Sequence, residues 1–558
     1  MSNKKNKLSP IEGIKQKSKG LRGTMQESLE DELTGSIRED DQSLIKFHGM
    51  YQQDDRDRRE ERALKKLDRL YSFMVRLRLP GGFLSPEQWV ATNDIAGEHA
   101  TGVIKITSRQ TIQLHGILKA RIKPTLQAFN KVILDAIAAC GDVNRNVLCS
   151  SHPRQSAIHE EVFRYADKIS ELLKPKTRAY YEIWLNEEKI AERSEEDPLY
   201  QNRYLPRKFK IAIAIPPNND VDVLANDIGL IAIIEDNKLL GFNIAVGGGL
   251  STTHGNPETY ARLATVIGFT DTEEKTLKAV YEVLTIQRDF GDRSNRKKAR
   301  LKYTVDAMGI NQFKEELEQR TGFALEAARP YTFTERADYY GWEQDHNGLW
   351  HYTLLVENGR VLDTPTLPMK SALLAIAKTG KATFRFTCSQ NLMLNDIQQK
   401  DKAEIDTLLR QYQLIQHTDN SSALRKNAMA CVAMPTCPLA LAEAQRYLPE
   451  LISKVEPLLE KYGLQQEDII MRMTGCPNGC ARSYLAEIGF VGTGPGRYNL
   501  HLGGDREGLR LNSIYKENIS EHQILEELDL LLDRYQKEKQ AAETFGDYCF
   551  RKNIAIIP

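Results

Sequence analysis

The sequence has 558 residues, and its 76 Lys and Arg balance 76 Asp and Glu, so anions must be held by local clusters and not by a basic surface over the whole molecule. A chain of this length builds about two to four domains, and 41% hydrophobic residues against 27% charged ones describe an ordinary globular composition. No run approaches the roughly 18 apolar residues of a membrane span, the basic opening MSNKKNKLSP leads into polar residues instead of a signal core, and eight cysteines are too sparse for a disulfide scaffold, so a reducing cytoplasm is expected.

Residues 1–69 read as a polar N-terminal arm that closes in the mixed-charge block QQDDRDRREERALKKLDR, residues 52–69. Such a block forms a solvated helix face or an extended arm, and a partner grip is its functional alternative. From Tyr71 the pattern turns strand-like. In VRLRLPGG, Arg76 and Arg78 take one side, Val75, Leu77 and Leu79 the other, and Pro80-Gly81-Gly82 ends the segment. In GVIKITSRQTIQLHG the polar side is Lys105, Thr107, Arg109, Thr111, Gln113 and His115, opposed by Ile104, Ile106, Ile112 and Leu114. A half-buried strand pair with a solvated face alternates in the same way. Here, however, the polar side is a row of donors without one acid.

A helix is expected over 122–139. RKFKIAIAIPP (207–217) reads as a strand entering a Pro-Pro turn, and VGGGLSTTHGN (246–256) as a glycine-rich loop without the spacing of a nucleotide fingerprint. Residues 277–325 are mainly helical in pattern and contain the basic cluster RSNRKKARLK (293–302). After a helix over 370–379, TFRFTCSQNLML (383–394) repeats the earlier alternation, with Arg385, Thr387, Ser389 and Asn391 on one parity, a weak internal duplication. The C-terminal third reads as a helix over 438–462, then strand, loop and helix, and a last helix over 520–543.

Four cysteines stand in two tight pairs, Cys431-Val-Ala-Met-Pro-Thr-Cys437 and Cys476-Pro-Asn-Gly-Cys480, with 38 residues between them. That interval accommodates a helix and a return strand, so both loops can meet at one end of a sheet. Four converging thiolates suit an iron–sulfur cluster or a structural zinc, and chance placement is the bland reading. The wide first spacing is unusual for zinc, while Pro435, Pro438 and Pro477 stiffen the loops and Gly475 and Gly479 let backbone N–H groups turn toward sulfur. Cys140, Cys149, Cys388 and Cys549 read as small buried residues.

The C-x5-C and C-x3-C arrangement with TGCPNGC resembles the signature of sulfite and nitrite reductases that couple siroheme to a 4Fe-4S cluster. FHGMYQQDDRD (47–57), RLRLPGG, TSRQTIQLHG, NRNVLC (144–149), YLPRKFK (204–210) and GRYNLHLGG (496–504) are similar to the bacterial NADPH-dependent hemoprotein branch of that family. The resemblance covers nearly the whole chain. It implies that Cys431, Cys437, Cys476 and Cys480 ligate the cluster and that the Cys480 sulfur is also the proximal ligand of the siroheme iron. Arg76, Arg145, Lys208 and Lys210 would hold the sulfite oxygens and assist proton delivery. Lys105, Thr107, Arg109, Gln113, His115, Arg296, Arg300, Gln390, Asn391 and Asn478 would bind siroheme carboxylates or support the pocket. For His115, a structural role is the alternative. Lys105 replaces an expected arginine and Arg300 an expected lysine, which keeps charge and changes donor geometry.

The implied architecture is mixed α/β in three domains with a pseudo-twofold repeat. Residues 70–138 and 341–414 form the two halves of a ferredoxin-like domain, 139–340 a siroheme-binding domain and 415–558 the cluster domain. The implied activity is six-electron assimilatory reduction of sulfite to sulfide. The implied partner is a separate diflavin reductase carrying FAD and FMN and fed by NADPH, with the N-terminal arm as its docking element. A ferredoxin-dependent sulfite or nitrite reductase is the runner-up, and a noncatalytic zinc-stabilised adaptor is the reading from a different class.

Overall fold

The computed structural model describes residues 7–188 and 196–554, so the opening residues 1–6 of the expected arm lie outside them. Among these, four five-stranded sheets come in two matched pairs. The first sheet runs Met50–Asp54, Tyr71–Arg76, Ile112–Ile117, Ile104–Ile106 and Arg360–Val361, antiparallel throughout. The second repeats that order with Gly341–Gln344, Trp350–Leu354, Leu392–Ile397, Thr383–Phe386 and Phe83–Leu84. Each sheet takes its fifth strand from the other half, an exchange that covers one edge of each and ties the halves together.

The duplicated turns follow the same rule. Thr107 N–H donates to Thr111 O at 2.8 Å and Thr387 N–H to Asn391 O at 3.0 Å, with Gln110 (φ 50°) and Gln390 (φ 71°) left-handed in both. The helix Pro86–His99 starts at a capping box, Ser85 with Gln88, and proline at its first position. Its Trp89 stacks on Phe384 of the other half at 4.6 Å. Met369–Lys378 buries Met369, Ala372, Leu373 and Ile376 along one stripe, as an amphipathic helix must.

The third sheet orders Leu148–Cys149, Ile211–Ala214, Ile228–Glu235, Lys238–Val246 and Thr265–Thr270. The fourth orders Ala428–Ala430, Met471–Thr474, Ile488–Gly494, Arg497–Leu502 and Ser513–Ile519. In both, the first three strands are parallel and the last two antiparallel. The register also matches, since Ile211 pairs with Ile228 as Met471 pairs with Ile488. This second duplication is not visible in the alternation pattern. Its residue-level trace is Pro217-Asn218 with Asp227-Ile228-Gly229 against Pro477-Asn478 with Glu487-Ile488-Gly489. The two glycines are required, because a Cβ would meet Val223 O at 2.8 Å or Ser483 O at 2.3 Å.

Three sequence expectations are corrected. The arm is not free over its length, because Leu21, Met25, Leu44 and Phe47 enter the main core, Lys15 is buried against Glu12 and Leu205 O, and Met50–Asp54 is the edge strand of the first sheet. These apolar residues are too scattered to show as a run, yet each is buried individually; the reading as a charged, solvated segment holds for 57–69. The helix expected over 122–139 is Lys119–Lys131, since Ile133 and Ala138 take left-handed backbone. The helix expected from 438 starts at Leu448, because the preceding residues turn around the cysteines. No helix among the described residues is long and apolar enough to cross a membrane.

Candidate functional site

The two cysteine loops leave neighbouring parallel strands, Ala428–Ala430 and Met471–Thr474, and therefore emerge at the same edge of the fourth sheet. Cys431 N–H donates to Met473 O at 3.0 Å, and Leu441 and Ala442 N–H groups donate to Gly475 O at 2.7 and 3.0 Å, so each loop fixes the other. Gly475 N–H points at Cys431 Sγ (3.3 Å) and the Asn478 amide at Cys476 Sγ (3.5 Å). At Gly475 a Cβ would stand 2.6 Å from both Ala433 Cβ and Ala442 O, so only glycine fits between the loops.

Burial and the neighbouring Cys480 sulfur push the Cys431 and Cys476 thiols up and Cys437 to about 11. Anionic sulfurs gathered in this way repel one another and demand a cationic centre. Four cysteine thiols on two loops, with five residues between the first two, make a set without histidine or carboxylate. That donor set fits a polynuclear iron–sulfur cluster better than mononuclear zinc.

Cys480 faces a cavity between the two α/β units. Asn478 and Gly479 share its wall, Arg109, Lys210, Arg300, Ser251 and Asn226 supply polar groups, and Leu148, Val221, Ala225 and Leu250 supply apolar ones. Cations and amides set beside a few apolar side chains are the donors that the carboxylates of a tetrapyrrole require. The Ser108 hydroxyl donates to Cys480 O at 2.7 Å, which joins the TSRQ turn to the cysteine loop.

The distal cations are placed by backbone pairing. Phe209 is buried; its N–H donates to Val143 O and its carbonyl accepts from Arg145 N–H, both at 3.0 Å. Extended chain on either side puts Lys208 and Lys210 on one side of Phe209, beside Arg145. Burial, then the neighbouring cations, hold both lysines well below the usual lysine range; for Lys210 those cations are led by Arg109 and Arg300 and opposed by Cys480. Lys210 N–H donates to Asp227 Oδ2 at 2.9 Å, and the same carboxylate takes Arg300 at 2.7 Å.

Lys105, Gln113 and Arg76 form one cross-strand row in the first sheet. With the Gln113 amide oxygen facing Arg76, Arg76 Nε donates to it at 2.9 Å and the amide nitrogen donates to His115 Nε2 at 3.2 Å. His115 Nδ1 then donates to Gln53 at 2.9 Å, so both ring nitrogens are occupied and burial holds the ring neutral, near pKa 3. This is the structural alternative for His115. Arg76 also donates to Cys140 Sγ at 3.0 Å, which makes Cys140 a partner and not mere filling. Lys105 is pushed down to about 7 by burial, with Cys431 opposing, and donates to Asn358 O.

The other predicted residues separate into two groups. Arg109, Arg300 and Asn478 line the cavity, Arg109 being held by Asn226 (3.0 Å) and Asn146 O, and Thr107 accepting from Arg109 N–H at 3.2 Å. Arg296 is paired with Asp142 at 2.8 and 2.9 Å. Asn391 is spent on Asp338, Tyr340 and Val356, and Gln390 is buried in the matching turn of the second half. Sequence reasoning missed Arg207, buried among the other cations, and Arg482, which lines the cavity and donates to Cys388 O at 2.7 Å. Arg207 sits inside YLPRKFK and was legible there; Arg482 carries no periodic signal.

Two family models match the chain. "Nitrite/Sulfite reductase ferredoxin-like half domain" matches residues 65–132 and 343–412, and "Nitrite and sulphite reductase 4Fe-4S domain" matches 165–325, a stretch without cysteine. The latter covers much of the first α/β unit; the cysteines are in the second. Curated relatives called sulfite reductase (NADPH) hemoprotein beta-component are similar over nearly full length. That of Leptospira biflexa serovar Patoc is 61% identical over 97% of this chain and 98% of its own. That of Anoxybacillus flavithermus is 52% identical over 98% and 96%. The solved structure of the Mycobacterium tuberculosis NirA protein matches with a TM-score of 0.78 and 26% identity, covering 98% of this chain and 96% of that one.

Proposed function

Because the chain belongs to the nitrite and sulfite reductase family, we propose that it is the hemoprotein subunit of an NADPH-dependent assimilatory sulfite reductase, with Cys480 as the thiolate shared by a 4Fe-4S cluster and siroheme. The observation that carries this reading is the cavity in which Cys480 faces Lys210, Arg109 and Arg300. When bound, siroheme and the cluster would relay to sulfite, a few at a time, the six electrons that take it to sulfide.

The chain's own residues bind the anion and manage its protons. Arg76, anchored on Gln113 and Cys140, and Arg145, anchored on Gly141 O, would supply fixed positive charge to sulfite oxygens, and the ammonium groups of Lys208 and Lys210 would follow the ligand as its oxygens leave as water. Burial among other cations makes both lysines readier to give up a proton than a lysine in water, which suits proton delivery to a departing oxygen. An incoming anion relieves the mutual repulsion, so binding and protonation draw on the same electrostatics. Electrons come from a separate diflavin reductase carrying FAD and FMN, and the protein works in the cytoplasm.

Given reduced methyl viologen, the purified chain is expected to form sulfide from sulfite; with NADPH it is expected to stay inactive until a diflavin reductase is added. A colourless protein without sulfide formation would overturn the proposal. Turnover with reduced ferredoxin but not with the diflavin partner would move the chain to the ferredoxin-dependent branch.

A further inference from the structure

We infer that Arg56 is a positioning residue for the cluster, a clasp that fastens the charged segment 56–69 onto the Cys431 and Cys437 loop and sets the potential of the centre held there. This rests on the proposed cluster reading and goes beyond it, because Arg56 belongs to a run that reads in sequence as a solvated face or a partner grip and not as a support for the cysteines.

Arg56 opens the short 3-10 turn Arg56–Arg58, directly after the edge strand of the first sheet, and Asp55 caps that turn by accepting from Asp57 N–H at 3.0 Å. Its Nε donates to Pro435 O at 3.0 Å, its Nη1 to Ala440 O at 2.9 Å and its Nη2 to Cys437 O. One guanidinium thus takes three carbonyls of one cysteine-bearing loop. The next residue, Asp57, accepts from Arg446 at 2.7 Å, and Arg446 is also held by Glu443, so the segment is fastened again where that loop runs toward the next helix.

Three carbonyl oxygens converging on one point repel one another unless a cation with several fixed donors stands there, and an arginine fork fits where an ammonium does not. The clasp holds the backbone on both sides of Cys437, whose N–H donates to Ala433 O at 2.9 Å while its carbonyl accepts from Ala440 N–H at 3.1 Å. It also places a half-buried positive charge beside the cluster ligands. A cation there favours the more negative, reduced centre and raises its potential.

The test is a redox titration of the holoprotein, followed by the cluster's electron paramagnetic resonance, for wild type, Arg56→Met, Arg56→Lys and the exposed control Arg58→Met. Arg56→Met is expected to move the cluster midpoint to a more negative value, Arg56→Lys to recover part of that shift, and Arg58→Met to leave it in place. Full iron content with an unmoved midpoint in Arg56→Met would overturn the inference. If Arg56→Met loses iron, amide exchange of the full iron-free chains decides: Cys437 and Ala440 should exchange at least about tenfold faster than in wild type, and equal rates would overturn the inference. A wild-type protein without an iron–sulfur signal would instead defeat the functional proposal, whatever Arg56 does.

Discussion

The turns after Ile211–Ala214 and after Met471–Thr474 lead from matched strands to matched 3-10 turns with different chemistry, the first through a cis Pro216-Pro217 bond and the second through a left-handed Gly479. The first reads Pro216-Pro217-Asn218-Asn219-Asp220 and the second Cys476-Pro477-Asn478-Gly479-Cys480, so Asp220 occupies in one unit the place that Cys480 occupies in the other. Asp220 is turned inward onto Ser150 Oγ (2.7 Å) and Ser151 N–H (3.0 Å), whereas Cys480 faces the cavity. Lys210 N–H donates to Asp227, and its counterpart Ile470 N–H donates to Glu487 at 2.8 Å. The same backbone hook therefore presents an ammonium in one unit and a plain apolar side chain in the other. The hooks meet where Asp222 (φ 47°) and Arg482 (φ 57°), equivalent left-handed residues, approach to 3.0 Å with Arg336 and Arg472 on the same carboxylate. In the proposed reading one unit would grip the anion and the other carry the redox ligands, on a common backbone path whose side chains have diverged.

The division is broken most forcefully at the lysines. Lys208→Met and Lys210→Met are expected to keep siroheme and to lose roughly 10- to 1000-fold in sulfite turnover per bound haem, with leakage of partly reduced sulfur species. Ile470→Val, the matched change in the other unit, should touch stability alone. Normal turnover and clean sulfide from haem-loaded lysine variants would remove the anion grip from the first unit.

A smaller contrast lies in the carboxylates behind the hooks. Asp227→Asn weakens the hold on both Lys210 N–H and Arg300, and about a tenfold loss of turnover is expected from losing charge-assisted bonds. Glu487→Gln should lower thermal stability and leave kcat/KM within about twofold, since Glu487 binds only the Ile470 and Gly546 N–H groups. Steady-state kinetics of the pair decides whether the hooks differ in function or only in sequence.

The smallest effect is one of pH. Burial holds His501 of the second unit near pKa 4, below its ordinary 6.5. The unfolded chain takes up that proton first, so the contribution is full above about 6.5 and declines by about 3 kcal/mol as pH falls toward 4. The first unit has Ala245 at the matching place, two strands from the lysines. His501→Ala should flatten the fall in denaturant midpoint between those pH values; an unchanged slope would show that the ring is not a buried neutral group.

Much of this was legible in the sequence. The cysteine spacing located two loops that meet at one end of the fourth sheet, the acid-free alternation around Arg109 located one cavity wall, and the repeat of that alternation located the second ferredoxin-like half. The second repeat was hidden because both units carry the same fold on almost unrelated residues, and what they share is mainly backbone: two glycines under carbonyls and two left-handed turns. The sequence left both readings of His115 open, because a hydrogen-bonded core histidine and a carboxylate binder occupy the same alternation. Arg56 was invisible as a functional residue because its partners are carbonyls, which leave no mark on a sequence.

The central claim is that Cys480, standing where the other unit has a buried aspartate, joins the two cofactors. Iron and siroheme counted per chain in purified Cys480→Ser, against wild type and Cys549→Ser, tests it most directly. Loss of both the cluster iron and the visible siroheme band is expected in Cys480→Ser, with Cys549→Ser unchanged; a Cys480→Ser protein with a full complement of both would contradict the shared thiolate.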